Sequence, residues 1–365
     1  MAVKHAAEVH GIAISDESSL DAIDGLLTTE RGDARNGDAD RLTLSTCYGA
    51  WFGELLIRQL DGKWIALHEA FAPRVALGRA IVAPIDAIRR CLRADSVPTL
   101  TELFDRARAW SQDIPARSEL LEQNATGWNR LIRDVRFVEG SVPADRAAAE
   151  DLLDPWLRAE GLAGRRVLCL AAGGGRHGPL FSRAGANVTV LDLSPAQLAI
   201  DAKLSATHDL GLTTLLGSID ELPTLFPAQS FDVVVQPVSA CYLRDLQPLH
   251  AGLAHVLRPG GLLVAQHKQP MSLQAEVLSA DGWTINTMQV EGLPLSPVLG
   301  QSHREPATQE FLHTTESLLG GLCRAGFVIE DVSEPPFGDA WATAGSPEHR
   351  AAFLPPYVKV KARRK

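Results

Sequence analysis

The sequence predicts an α/β protein in which a doubly wound, mostly parallel sheet follows a small α+β module. Three observations carry this expectation. From about Ala144 onward, apolar strand-like runs alternate with helical patterns, which is how a parallel sheet with crossover helices is written. The first of those runs ends in a glycine-rich stretch, "VLCLAAGGGRHG" (167–178), that offers backbone N–H groups at the start of a helix. Before about residue 115 the alternation is absent. The chain has 365 residues, more than one core of about 250–300 residues accommodates, so two domains are expected, 1–115 and 116–365.

Composition narrows the function classes. With 45% hydrophobic and 22% charged residues the chain can bury a sizeable core. A formal net charge of -9 repels phosphate backbones, so nucleic acid is not an expected partner. The one basic cluster, "KVKARRK", reads as a solvated end. Apolar runs such as "VLCLAA" and "GLLVAQ" fall far below the ~20 residues of a membrane span, and "MAVKHAAEVHGIAISDE" contains no apolar signal core. A soluble, cytoplasmic protein without a membrane partner is expected. Cys47, Cys91, Cys169, Cys241 and Cys323 form no C-x-x-C pair, and His250 and His255 lie on different faces of a helix, so neither a disulfide framework nor a metal site is expected.

In the N-terminal module, "ISDESSLDAIDGLLTTER" (14–31) reads as a helix opened by Ser15 or Asp16 and followed by the loop "GDARNGDAD". A second helix spans Leu42 to Leu60. Asp61-Gly62 then turn the chain into "WIALHEA" and, after Pro73, "RVALGRAIV", two short strands. Pro84 opens a helix through Arg93, and another runs from Thr101 to Trp110. Cys47, His68 and Cys91 are isolated and assemble no chemistry. Partner binding and pairing into a homodimer are the roles left open to this module.

The second half reads as "PADRAAAEDLLDPWLRAEG" (helix), "RRVLCLAA" (strand), "HGPLFSRAG" (helix), "NVTVLDL" (strand), "SPAQLAIDAKLSAT" (helix) and "LTTLLGS" (strand). It continues with "FDVVVQP" (strand), "DLQPLHAGLAHVL" (helix), "GGLLVAQH" (strand), "TTESLLGGLCRAG" (helix) and the strands "FVIEDVSEP" and "PYVKVKA".

The glycine stretch fits two cofactors. Read from Gly173 it is G-x-G-x-x-G, the dinucleotide pattern, but there the first glycine follows the strand at once, whereas Ala171 and Ala172 separate Leu170 from Gly173. A G-x-G-x-G register with Ala171 in the first position fits better. Asp192, seventeen positions after Gly175, can accept both hydroxyls of a ribose, which either cofactor requires. Further on, "SFDVVVQPVSACYL" and "LHAGLAHVLRPGGLLVAQH" resemble the fourth and fifth strands of class I S-adenosylmethionine-dependent methyltransferases, with "LRPGG" as the turn into the fifth. The resemblance covers residues 165 to 267, and "GFVIEDV" and "PYVKVKAR" resemble the antiparallel pair that closes that family's seven-stranded sheet.

The resemblance implies an enzyme with S-adenosylmethionine as cofactor. By position, Gly173 and Gly175 let the backbone approach the methionine part of the donor, Asp192 is the ribose ligand and Leu193 walls the adenine. Ser218 and Ile219 contact adenine, with Asp220 a near neighbour, while Gln236 and Pro237 border methionine and substrate at the carboxyl edge of the fourth strand. Two positions depart from the family: Ala171 replaces a glycine, and Cys169 replaces the acidic residue common in the first strand, which leaves the donor's amino group to other partners such as loop carbonyls.

Methyl transfer depends mainly on alignment in a dry pocket, and a base is required only for a protonated acceptor. His267, just past the fifth strand, is the first candidate base or positioning residue; Tyr242 and His313 are further pocket candidates, and His177 is expected to orient backbone. "NATGWNRLIRDVRFVEGSV" (124–142) resembles a lid, placed at about 120–145, with Trp128 over the pocket. An insertion at about 268–310 is expected to hold substrate contacts, among them Arg304 for an acceptor carboxylate. The acceptor expected is an oxygen or nitrogen of a small molecule or modified peptide, as in natural product biosynthesis. Two alternatives stay open: a protein or peptide substrate recruited by the N-terminal domain, and a donor-binding module without transferase activity.

Overall fold

The computed structural model describes residues 19–32, 37–65, 73–77, 80–92, 99–111, 116–132, 142–275, 277–279, 282–285, 292, 294–295, 304–305, 307–335 and 338–365. They fall into two compact units, Met1–Ile114 and Pro115–Lys365.

The first unit holds helices α1 (Ser19–Gly32) and α2 (Asp38–Leu60), a three-stranded antiparallel sheet of β1 (Lys63–Ile65), β2 (Arg74–Leu77) and β3 (Ala80–Val82), and helices α3 (Pro84–Cys91) and α4 (Leu100–Ser111). Its core is built on Tyr48, Trp51, Phe52, Leu55 and Leu56 of α2. Two glycines of α2 let other elements approach: a Cβ on Gly49 would lie 2.4 Å from Ile85 Cα, and one on Gly53 would lie 2.2 Å from the Trp64 ring. The expected pair of strands is thus three, because "RVALGRAIV" contributes both β2 and β3. Ser15, Asp16 and His68 lie outside the described residues.

The second unit opens with α5 (Arg117–Leu131), followed by α6 (Arg146–Asp151) and α7 (Pro155–Glu160). The single helix expected over 143–161 is broken, because Pro155 cannot continue α6 and instead starts α7, whose first turn is capped by the Asp154 carboxylate accepting the Trp156 N–H at 2.9 Å. Then come β4 (Arg166–Leu170), α8 (His177–Arg183), β5 (Asn187–Asp192), α9 (Pro195–His208), β6 (Thr213–Leu216), α10 (Leu222–Leu225) and β7 (Phe231–Pro237). They are followed by α11 (Gln247–Val256), β8 (Leu257–Lys268), α12 (Pro270–Gln274), a hairpin of β9 (Val277–Ser279) and β10 (Gly282–Thr284), α13 (Gly321–Arg324), β11 (Phe327–Ser333), α14 (Pro347–Ala351) and β12 (Tyr357–Arg364).

Seven strands make one sheet in the order β11-β12-β8-β7-β4-β5-β6. Its pairs are parallel from β8 to β6, and β12 is antiparallel to both of its neighbours. Strand β4 reads as an unbroken apolar run because helices cover both faces, and its side chains alternate between two cores. Leu168 and Leu170 face the core that includes Val234, Leu263, Leu249 and Leu253, while Val167 and Cys169 face that of Val190, Val235, Phe181 and Leu157. The basic tail is not a solvated end: it forms β12, where Arg363 pairs with Glu330 and Glu160, and Lys361 with Glu330. Among the described residues no helix is long and apolar enough to cross a membrane.

Candidate functional site

Strand order reverses between β4 and β7, and in open α/β sheets ligands sit outside the carboxyl ends of the strands at such a point. A cleft of about 660 Å³ opens there. Its floor comes from the ends of four strands: Ala171 and Gly173 after β4, Asp192 and Leu193 at β5, Ser218 and Ile219 after β6, Pro237 and Val238 at β7. Helix α5 lines it with Leu121, Asn124 and Trp128, which share a helical face, and Tyr242 meets Trp128 edge-on with ring centroids 5.8 Å apart at 88°. Asp192 is the one charged side chain among the described lining residues.

Two lining residues hold left-handed backbone, Ala171 with φ 47° and Val238 with φ 37°. Such a conformation is unusual for a residue with a Cβ and more so for a β-branched one, and it persists where the surroundings enforce it. Here each is pinned by a backbone hydrogen bond: the Ala171 N–H donates to Leu191 O at 2.7 Å, and the Val238 N–H to Gln266 O at 2.9 Å.

The glycine loop hangs on two carboxylates. Asp192 accepts the Gly173 N–H at 2.9 Å on Oδ2 and the Ser194 N–H at 2.8 Å on Oδ1. Burial raises its pKa despite these bonds. Asp201, on α9, accepts the N–H groups of Gly174 at 2.8 Å and Gly175 at 3.1 Å on its Oδ2. Its side chain is fully buried, which pushes its pKa up to about 7, and its Oδ1 has no hydrogen-bond partner among the described residues.

Helix α5 is fastened to the elements that carry these residues. Arg117 donates to Asp220 Oδ2 and Oδ1 at 2.9 and 2.8 Å and to Glu221 Oε1 at 2.9 Å, in the loop after β6. Asn129 Oδ1 accepts from Ser194 Oγ at 2.7 Å, beside Asp192. Asn124 exchanges hydrogen bonds with the backbone of Gln309 at 2.7 and 3.3 Å.

Nine of the residues singled out in the sequence line this cleft: Ala171, Gly173, Asp192, Leu193, Ser218, Ile219, Pro237, Tyr242 and Trp128. The others are placed elsewhere. A Cβ on Gly175 would meet Leu204 Cδ1 at 2.6 Å, so this glycine admits α9 to the loop and is absent from the lining. Gln236 is buried behind the lining, its Nε2 donating to Ser239 Oγ at 3.0 Å. Asp220 is engaged by Arg117 and by the Ser218 hydroxyl.

His267 lies in the core beside His250 and His313, outside the lining. Neither ring nitrogen has a hydrogen-bond partner among the described residues, and burial lowers its pKa to about 3, so it is no base at neutral pH. The His313 ring sits 2.9 Å from Leu243 O and lines a different cavity with His250. Half-buried His177 packs on Phe181 with ring centroids 5.9 Å apart, and desolvation lowers its pKa to about 4. Tyr242 reaches the cleft, but its hydroxyl donates to Glu305 Oε2 at 2.6 Å and burial raises its pKa well above the usual value.

Arg304 is buried, 3.6 Å from Glu310 in a cluster where Lys268 donates to Glu305 at 2.5 Å and to Glu310 at 3.0 Å. It does not line the cleft, because its charge is spent inside the protein. Residues 133–141 of the expected lid and most of the stretch from 276 to 303 lie outside the described residues.

Sequence reasoning missed Asp201, Arg117 and Asn129. Asp201 alone left a signal, an acid three residues after Leu198 on the buried face of α9.

The methyltransferase domain family matches residues 168–265. The uncharacterized methyltransferase YbaJ of Bacillus subtilis is 33% identical over 174 residues, 46% of this chain and 68% of that protein. The demethylmenaquinone methyltransferase of Tropheryma whipplei is 36% identical over 102 residues, but the chain spans only 41% of its length. Among solved structures, an S-adenosylmethionine-dependent methyltransferase from Mesorhizobium loti is 28% identical, covering 57% of this chain and 96% of that one with a TM-score of 0.45. Identity of 33% across two thirds of the Bacillus protein places the chain: it belongs to the class I S-adenosylmethionine-dependent methyltransferases, an enzyme whose cofactor is S-adenosylmethionine.

Proposed function

We propose that this enzyme methylates an oxygen or nitrogen of a small molecule or modified peptide, in natural product biosynthesis and in the cytoplasm, and that the cleft at the ends of β4 and β7 holds the donor and the reacting end of the acceptor. The observation that carries the reading is the cleft's lining: apolar and aromatic apart from a few amides and hydroxyls, with Asp192 as its charge among the described residues.

The residues fit the donor. Asp192 accepts the Gly173 and Ser194 N–H groups on different oxygens and retains acceptor capacity for a ribose hydroxyl. Leu193 and Ile219 offer apolar walls for adenine and Ser218 a polar edge, and the loop at 171–173 offers carbonyls for the amino group. When bound, S-adenosylmethionine supplies a methyl group already activated on a sulfonium.

The chain's own part is then alignment and exclusion of water. Helix α5 acts as the lid, with Trp128 and Tyr242 framing the acceptor side. Because Tyr242 donates its proton to Glu305 and His267 is buried away from the cleft, no described lining residue serves as a strong base, so the acceptor reacts in the protonation state in which it arrives. The unit formed by the first 115 residues is an accessory domain for a partner or a second copy of the chain.

Calorimetric titration with S-adenosylmethionine, S-adenosylhomocysteine and NADH tests the donor site: saturable binding of the first two without the third is expected. Incubation with methyl-labelled donor and a panel of uncharged phenols, hydroxamates and nitrogen heterocycles tests the acceptor class. Label transfer to cationic peptides alone would overturn it.

A further inference from the structure

The loop that follows β4 must present its backbone at one fixed height, yet strand β4 gives it no charged support. Cys169, the β4 residue whose side chain neighbours Asp201, is a fully buried thiol raised well above its usual pKa by burial and by the Asp201 charge. Support comes instead from across the β5 crossover. Asp201 Oδ2 sits 2.8 Å from the Gly174 nitrogen and 3.1 Å from that of Gly175, and both N–H groups donate to it. These are consecutive residues in left-handed conformation, φ 98° and 84°, so their N–H groups turn to the same side, toward α9 and away from the cleft.

The packing leaves room for this carboxylate and little else. A Cβ on Gly178 would lie 3.0 Å from Asp201 Oδ1, and one on Gly175 would lie 2.6 Å from Leu204 on the next turn of the same helix. Asp201 does not line the cleft, so it touches neither donor nor acceptor.

We propose that Asp201 is the positioning residue for donor binding: from α9 its carboxylate holds the Gly174 and Gly175 amides and so sets the face that Gly173 presents to the donor. The proposal rests on the donor cleft assigned under Proposed function. A buried carboxylate is costly, and the two charge-assisted hydrogen bonds from the loop amides offset that cost while fixing the loop, with the Gly174 N–H also 3.2 Å from Gln197 O.

The test is S-adenosylhomocysteine binding by calorimetry to the full chain in four forms: wild type, Asp201→Ala, Asp201→Asn and Cys169→Asp/Asp201→Ala. Asp201→Ala is expected to weaken binding at least tenfold. Asp201→Asn, whose amide oxygen still accepts from the loop, should stay within about threefold of wild type, and the double variant should regain most of the loss because it returns a carboxylate beside the position that Asp201 leaves. A residue that merely filled space would not be rescued from another strand. Wild-type affinity in Asp201→Ala, or failure of both Asp201→Asn and the double variant to bind, overturns the proposal. If Asp201→Ala does not fold, the two remaining variants decide by the same criteria. Absence of binding in the wild type would instead remove the donor site itself, a distinct outcome.

Discussion

Asp192 concentrates three tasks in one side chain: it ends β5, pins Gly173 and carries the charge of the cleft. Its replacement by alanine orphans two backbone donors as well as removing a ligand contact. Asp192→Ala is therefore expected to weaken S-adenosylhomocysteine binding by about 1–3 kcal/mol, read by titration calorimetry. Wild-type affinity would remove Asp192 from the donor site. Ala171 is the converse case, a residue that costs stability. Left-handed backbone costs a non-glycine residue about 1–2 kcal/mol, and glycine loses part of that gain through its looser unfolded chain. Ala171→Gly should therefore raise stability by roughly 0.5–1 kcal/mol, measured by urea unfolding; a loss would show that the alanine methyl packs usefully against the core beneath it.

At the scale of elements, α5 is held by contacts of very different worth. Arg117 is half exposed, with 52% of its side chain accessible, so its ion pairs with Asp220 and Glu221 contribute no more than about 1 kcal/mol to stability. Yet it fixes the helix to the loop that carries Ser218 and Ile219. Arg117→Ala is thus expected to leave the melting temperature within a few degrees of wild type while speeding dissociation of S-adenosylhomocysteine several-fold, measured by stopped-flow fluorescence of Trp128. An unchanged off-rate would show that Asn124 and Asn129 suffice.

The same scale shows what was legible in the sequence. Parallel strands covered on both faces are apolar runs, so β4, β5, β7 and β8 could be read directly, and their order gave the ends at which Asp192, Ser218 and Pro237 gather. The α5 clamp was not legible, because an exposed arginine 103 residues from its partner has no periodicity to betray it. Nor were the positions of His267 and Arg304: whether a side chain at a strand's end or in a loop faces cleft or core is decided by packing alone. Here packing gave His267 to a cluster of buried imidazoles and Arg304 to Glu310.

For the whole molecule, those imidazoles set how stability responds to acid. Burial lowers His267 to about 3 and His250 to about 4, whereas each titrates at 6.5 when unfolded. Below pH 6.5 the unfolded chain binds protons that the folded one refuses, so stability falls as pH drops through that window, by about 2 kcal/mol per histidine at pH 5. Asp201 acts in the opposite sense: with a folded pKa of about 7 against 3.8, it gains stability as pH falls from 7 toward 4. Replacing His267, whose ring nitrogens have no hydrogen-bond partner among the described residues, by leucine should make the protein about 2 kcal/mol more stable relative to wild type at pH 5 than at pH 7. Equal differences at the two pH values in thermal unfolding would show that the ring is hydrated.

Strand β12 pairs with β8 on one side and β11 on the other, so the sheet's next-to-last position is filled by residues that the ribosome delivers after every other strand. Until residue 357 and those beyond it emerge, β8 exposes an unpaired edge and β11 has no neighbour, and the nascent enzyme carries a donor cleft on an unfinished sheet. A chain cut before Tyr357 should consequently be captured by chaperones or aggregate, even though the glycine loop, Asp192 and Asp201 were all made more than 150 residues earlier.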